Sequence, residues 1–581
     1  AQVAIWIGYL QWMRDNGFNA PKDPILEPID TIENRDAILA WADEDGERIS
    51  VWREGAKCLG QAKWPEADFI VGNPPFLGSR KARMELGDEY VDAYQHTYSL
   101  LPEGVDLCCY WFYLAEKHLE ANDSRIGLLA TQSIRKGSSR RVLDLIEKAS
   151  VIFDAWSDEP WVLNGASVRI SIACFASNAD TCILNGKTVA HIHSDLSAGL
   201  DFTQACQLSQ NKSIAFQGTI SSGPFDINYL QAKEWLSTPN VNGNPPIDIL
   251  RPWNNATDVT KRSRGRWIID FGVDRPESNA ACYTNPFEYI QSDVRPQRDM
   301  LKDGKMKYAH SSKFPSWQLW NARPDFRDHI QTLSRYLVTP RVAKHRLFSW
   351  KSKSTLPDAR LFAFAVSSDY YFGILHSATH ELWTLSNCSW HGKGNDPTYN
   401  GGACFETFPL PWSPGHEPAK GDPQRPLHDA IGACAATLNE QRERWLNPPE
   451  WVEPIAARID AEDDFADVLA VSGEEAQRLI RQSAIDAACA KDPKLKKRTL
   501  TNLYNERPTW LRLAHKALDE AVLAAYAAVD PEGDWDTAWS EVFEETGAGQ
   551  PLPEGHDLIE RREEVEQLIL GNLLRLNQER A

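Results

Sequence analysis

The chain has 581 residues and a mass of 65.5 kDa, with 42% hydrophobic and 25% charged residues. That is a globular composition with room for about three to four domains, and it excludes a disordered tail, a collagen-like rod or a small disulfide scaffold. Net charge is −19, from 62 Lys+Arg against 81 Asp+Glu, yet residues 251–360 hold 21 basic and 11 acidic residues, a local +10. An acidic protein with one basic, aromatic-rich block points to a polyanion handled by one module; a solvated basic face is the plain alternative. No run of 18 apolar residues occurs, so no membrane partner is expected. The 11 cysteines are scattered, lack any C-x-x-C pair and include adjacent Cys108 and Cys109, as expected of reduced thiols in a cytosolic protein without a metal site.

Taken in chain order, Ile5, Tyr9 and Trp12 repeat at helical spacing until Gly17 ends the helix. Ala67–Val71 reads as a short buried strand that stops at Gly72-Asn73-Pro74-Pro75-Phe76. Asp106–Leu119 reads as an amphipathic helix, Arg125–Ala130 as a second buried strand, and Val151–Phe153 and Val168–Phe175 as two more, with a helix around Val142–Ala149. Helices alternating with apolar strands predict a mostly parallel, doubly wound α/β sheet over residues 1–185. Residues 186–415 are rich in turns, Trp, Tyr and Arg and predict an irregular α+β domain with strands at Trp267–Gly272 and Leu361–Val366. Beyond the Pro-rich stretch Pro409–Pro414, residues 416–581 predict a helical region, with a stripe at Leu427, Ile431, Cys434, Leu438 and Trp445.

The informative stretch is Asp68-Phe69-Ile70-Val71-Gly72-Asn73-Pro74-Pro75-Phe76. Asn-Pro-Pro alone is a common turn, but here it sits at the C-terminal end of a strand, where doubly wound sheets bind ligands. A residue before proline is pushed to extended geometry, and two prolines stiffen the exit, so Asn73 is held in one direction. Its side-chain oxygen and a neighbouring carbonyl can accept two hydrogen bonds from one exocyclic amine. That favours a more tetrahedral nitrogen with a lone pair free to attack a methyl donor. Phe76 offers a stacking face for a base that has left the duplex. The predicted chemistry is amino-group methylation of a flipped base by Asn73, Pro74, Pro75 and Phe76.

The Asn-Pro-Pro-Phe motif resembles the signature of S-adenosylmethionine-dependent DNA adenine methyltransferases. With Glu85–Val91, Asp106–Phe112, Ser133-Ile134-Arg135, Ala155–Trp161, Arg264–Gly272, Pro340–Arg346 and Phe405–Pro409, the chain resembles the large bacterial class I enzymes allied to Type IIG and IIL restriction–modification systems. The resemblance implies a Rossmann-like methyltransferase sheet, S-adenosylmethionine as cofactor, N6 of adenine as target, double-stranded DNA as partner and a bacterial cytoplasmic setting. It implies cofactor contacts at Asp36 and Asp106, each with a capping role as alternative, and a second stacking ring at Trp161, with plain core packing as alternative. It also makes the middle block a target-recognition domain whose DNA contacts come from Lys261, Arg262, Arg264, Arg266, Arg341, Lys344, His345 and Arg346. Family members carry a Gly-rich turn and an acidic strand end before the Asn-Pro-Pro motif, and neither precedes residue 73 here. The expectation is therefore a fragment lacking the first strands and inactive alone, with a nuclease domain upstream or separate restriction subunits as partners. Two rival readings stay open: a DNA-binding specificity module without catalysis, and an RNA or protein amino-methyltransferase.

Overall fold

The computed structural model describes residues 2–18, 31–163, 166–200, 202–299, 301–302, 305–306, 314–391, 396–462, 473–553 and 555–581. The chain divides into two compact units, residues 1–201 and 202–581.

The first unit opens with helix α1 (Gln2–Asp15), beyond which Gly17 takes a φ of +78°, as a helix-ending glycine does. The stripe Ile5, Tyr9 and Trp12 is solvent-exposed rather than packed, at 53%, 49% and 54%. A small antiparallel sheet follows, β1 (Leu39–Ala42) between β2 (Arg48–Ile49) and β3 (Lys57–Gln61). Then come β4 (Phe69–Gly72), α2 (Ser79–Leu86), α3 (Asp88–Thr97), α4 (Cys109–Ala121), β5 (Arg125–Thr131) and α5 (Arg141–Ala149). The last four strands are β6 (Val151–Leu163), β7 (Ala166–Ala176), β8 (Cys182–Leu184) and β9 (Lys187–Val189). The main sheet runs β4-β5-β7-β6-β8-β9. In β5, Ile126, Leu128 and Ala130 are buried at alternate positions, as the two-residue side-chain period of a strand requires. They share one core with Phe112 of α4, Ile146 of α5 and Phe175 of β7.

Two expectations are corrected. The sheet is mixed rather than mostly parallel: β4 and β5 run parallel, but β7 pairs antiparallel with both β5 and β6, because β6 and β7 are consecutive and form a long hairpin. And β4 is not a buried strand. Among the described residues it pairs with β5 alone, so as an edge strand it leaves Phe69 and Val71 69% and 82% exposed.

The second unit holds two four-stranded sheets. One places Leu361–Phe364 between Ala215–Gln217 and Arg335–Pro340, with Ser349–Ser352 outside the latter; the other includes Leu250–Asn254 and Trp267–Ile269. Helices at Arg425–Leu446, Gly473–Lys491, Leu500–Glu506, Thr509–Val529 and Ile559–Arg580 make up most of its C-terminal part.

Both expected domain boundaries are also corrected. Position 185 falls inside the β8–β9 hairpin, which extends the first sheet, so the unit continues to residue 201. Position 415 is no boundary, because the segments on either side share cores. Trp253, Trp267 and Ile268 pack with Ala476, Leu479 and Ile480. A Cβ on Gly373, in helix Asp369–His376, would lie 2.7 Å from Ile431 Cγ2 and 3.1 Å from Ala435 Cβ. All 11 cysteines are free thiols, and no helix among the described residues is long and apolar enough to cross a membrane.

Candidate active site

The parallel pairing of β4 with β5 aligns Gly72 with Leu128, three residues before β5 ends at Thr131, so both strands run out toward the same edge of the sheet. On β4 that exit is Asn73-Pro74-Pro75-Phe76. Asn73 is exposed, Pro74 buried, Pro75 exposed and Phe76 half-buried. The buried proline anchors the loop and leaves the amide of its predecessor in the open. The Leu77 N–H donates to the Pro75 carbonyl (3.1 Å), and the Leu77 carbonyl accepts from the Leu107 N–H (2.9 Å), tying the loop to the segment before α4.

That tie brings in Asp106. Its side chain does not cap α4, whose N-cap is Cys108 with no side-chain bond. Instead it accepts from the hydroxyls of Ser133 (2.5 Å) and Thr131 (3.4 Å), at and just beyond the end of β5, while its N–H donates to Ser139 Oγ (3.1 Å). A half-buried carboxylate is thus fixed at the same edge as Asn73. Thr131 was not singled out from sequence and Ser133 only as part of the resemblance, with no role; two hydroxyl residues closing a strand that aligns with the Asn-Pro-Pro strand were the available signal.

Asp36 is engaged within its own turn and by α3. Its carboxylate accepts from the N–H groups of Ile38 (2.9 Å) and Leu39 (3.1 Å), from Trp41 Nε1 (2.8 Å) and from the Tyr90 hydroxyl (2.9 Å). It caps the entry into β1 rather than a helix, and four donors occupy it. Burial, and then the adjacent Asp36 charge, push the Tyr90 phenol well up.

Trp161 lies on β6 opposite Val168, two residues past the register Thr131–Ile170–Glu159. The β6–β7 hairpin thus carries it beyond the edge where β4 and β5 end, three strand spacings or about 14 Å across the sheet from β4. Its ring is 40% exposed, which rules out the plain core role. The Asn164-Gly165 pair that follows lies outside the described residues. In the hairpin, Arg169 Nε donates to Asp158 Oδ1 (2.6 Å) and its Nη2 to the Asp158 carbonyl (2.7 Å), fixing the irregular register near Ser157.

The eight basic residues of the second unit divide sharply. Arg346 is 6% exposed and donates to Thr339 Oγ1 and the Pro340 and Pro397 carbonyls, with its guanidinium 4.9 Å from the Tyr399 ring centre; burial lowers its pKa. His345, also buried, faces Asn505, and burial lowers its pKa too. Arg266 grips the Asp226 carboxylate at 3.0 and 2.7 Å. Arg262 donates to the Leu446 carbonyl, to Asn447 and to Cys489 Sγ. The donors of these four are engaged within the fold; Arg346 and His345 are buried, whereas Arg262 and Arg266 stay partly exposed. Lys261, Arg264 and Lys344 face outward, and Arg341 is half-exposed beside Phe362. The sequence reading also passed over Lys491, Lys494, Lys496 and Lys497, all exposed. The Arg262 bond to Cys489, and a Thr501 hydroxyl bond to the Thr260 carbonyl (2.9 Å), join the helix ending at Thr260 to the elements on both sides of that lysine run.

Residues 35–185 match the family described as MmeI, DNA-methyltransferase domain. DNA methyltransferase A of Bacillus subtilis (strain 168) is 20% identical over 377 residues, covering 60% of this chain and 40% of that protein. The structure of the Type IIL restriction–modification enzyme MmeI in complex with DNA superposes with a TM-score of 0.56 at 17% identity, over 88% of this chain and 57% of that one. The chain thus spans roughly half the length of these relatives. The Asn-Pro-Pro edge thus lies inside the stretch that matches the MmeI DNA-methyltransferase domain model, on a fold similar to that of the MmeI structure.

Proposed function

We propose that the edge formed by Asn73, Pro74, Pro75 and Phe76 directs methyl transfer to the exocyclic N6 amine of an adenine swung out of double-stranded DNA, with S-adenosylmethionine as donor, in a restriction–modification or defence setting. One observation carries the reading: an exposed Asn amide at the end of β4, fixed in direction by the buried proline that follows. Asn73 Oδ1 and the Pro74 carbonyl accept the two amine hydrogens. The nitrogen thereby becomes more tetrahedral, and its lone pair is presented outward. Phe76 stacks on the base, and Trp161 supplies a second ring from the hairpin. The methylated amine sheds its extra proton to solvent at this open edge.

A cationic methyl donor fits Asp106, a fixed carboxylate at this edge that its own turn does not saturate, whereas Asp36 is filled by four internal donors. When bound, S-adenosylmethionine supplies an electrophilic methyl group on a positively charged sulfur. Asp106, oriented by Thr131 and Ser133, offsets that charge. The phosphate-contacting surface is Lys261, Arg264 and Lys344 together with the run Lys491–Lys497, most of whose contacts position the duplex without reading sequence. The second unit as a whole supplies target recognition.

Incubating the protein expressed from its whole reading frame with labelled S-adenosylmethionine and duplex DNA, then digesting to nucleosides, tests the reading. Label in N6-methyladenine supports it, label in N4-methylcytosine corrects the target base, and label in RNA or protein alone overturns it.

A further inference from the structure

Glu147 on α5 and His191 and His193, in the stretch after β9, are 44 and 46 positions apart in sequence and meet at one point. His191 Nε2 lies 2.9 Å and His193 Nδ1 3.1 Å from the same oxygen, Glu147 Oε1, and all three candidate ligand atoms lie within 4.8 Å of one another. In a zinc tetrahedron with bonds of about 2.0–2.1 Å, ligand atoms stand roughly 3.3 Å apart, so small ring rotations would place an ion among them.

The surroundings hold the three groups in place. Glu147 Oε2 accepts the Ser194 N–H (2.7 Å), and Ser194 Oγ donates to Asp144 Oδ1 (2.7 Å) one turn earlier on α5. Ile192, between the two histidines, is fully buried, and the imidazole centres are 4.7 Å apart with planes at 70°. The bonds 193 N–H to 197 carbonyl and 196 N–H to 193 carbonyl, both 2.8 Å, close the following turn. Burial alone would raise the Glu147 carboxyl, but hydrogen bonds from His191, His193 and Ser194 hold it below the usual carboxylate range. Two imidazoles and one carboxylate suit a borderline ion such as Zn²⁺, whereas Mg²⁺ and Ca²⁺ call for more oxygen ligands.

We propose that Glu147, His191 and His193 bind a divalent cation of the Zn²⁺ class, with solvent in the remaining position, and that the ion staples residues 191–197 to α5.

The test uses the full chain without an affinity tag and with its thiols alkylated. Zn²⁺ is titrated against a chromophoric chelator, and Co²⁺ binding is followed by visible absorption. The expected result is one equivalent held at micromolar affinity or tighter, with the intense Co²⁺ bands of low-coordination geometry. Glu147→Gln and His193→Ala should each weaken it at least about tenfold. His191→Ala removes a ring that is 48% exposed, so it should weaken binding equally while leaving the metal-free melting temperature unchanged. Absence of a saturable equivalent at sub-millimolar Zn²⁺, or unchanged affinity in His191→Ala, would overturn the proposal and leave a hydrogen-bonded cluster only.

Discussion

Phe76 and Asp106 carry separable parts of the proposed chemistry. Phe76→Ala should slow methylation and weaken binding of a flipped base, since base stacking on an aromatic ring is worth about 1–3 kcal/mol, while Phe76→Trp keeps most of both. Asp106→Asn preserves the shape of the group and its bonds from Ser133 and Thr131 but removes the charge. It should therefore raise the KM for S-adenosylmethionine more than it lowers kcat, which steady-state kinetics at varied donor concentration would show. Arg346→Ala separates the two roles considered for that residue. With Thr339 Oγ1 and two carbonyls left without their charged donor, a melting experiment should show a loss of about 3 kcal/mol. A phosphate contact would instead leave the melt unchanged and lower DNA affinity. At this scale the sequence was informative where backbone chemistry dictates geometry, as at Asn73-Pro74. It was uninformative where a charge can point either way: nothing in Arg341–Arg346 marks Arg346 as the guanidinium that turns inward.

Elements were legible where burial has a period. The alternation in β5 buries as read, and of the helical stripe Ile431 and Leu438 do, while Leu427, Cys434 and Trp445 stay half-exposed beside a buried face of His428, Ala435 and Arg442. β4 misled because four apolar residues look the same whether a strand has one neighbour or two. The crossing of helices Asp369–His376 and Arg425–Leu446 left only a glycine as its trace. Gly373→Leu should cost about 1–3 kcal/mol by overpacking against Ile431 and Leu518, read as a lower melting temperature. For the lysine run Lys494–Lys497 with Lys491, neutralising two side chains should reduce the slope of log affinity against log salt by nearly two and weaken binding equally for all sequences. An unchanged slope would remove this surface from the DNA interface.

At the scale of the whole molecule, the joint core of the middle and C-terminal segments means that deleting residues 190–412 would break the second unit rather than excise a module, so point substitutions are the better probes. Stability of that unit should also depend on pH. Burial pushes Asp519 up to about 7, while its carboxylate oxygen takes the Ala378 N–H (2.8 Å). The folded state therefore retains a proton that the unfolded chain releases near pH 4, so this group's contribution is lost as pH rises from about 4 to about 7. Asp519→Asn keeps the acceptor without the charge, and its melting temperature relative to wild type should rise across that interval. The role of the Asn73 edge is tested by single-turnover methylation of duplex DNA by the protein expressed from its whole reading frame and by its Asn73→Ala variant, with DNA affinity measured alongside. Loss of one preorganised acceptor should lower the rate about 10²–10³-fold with affinity within a few fold of wild type. Methylation by Asn73→Ala at close to the wild-type rate would contradict the account.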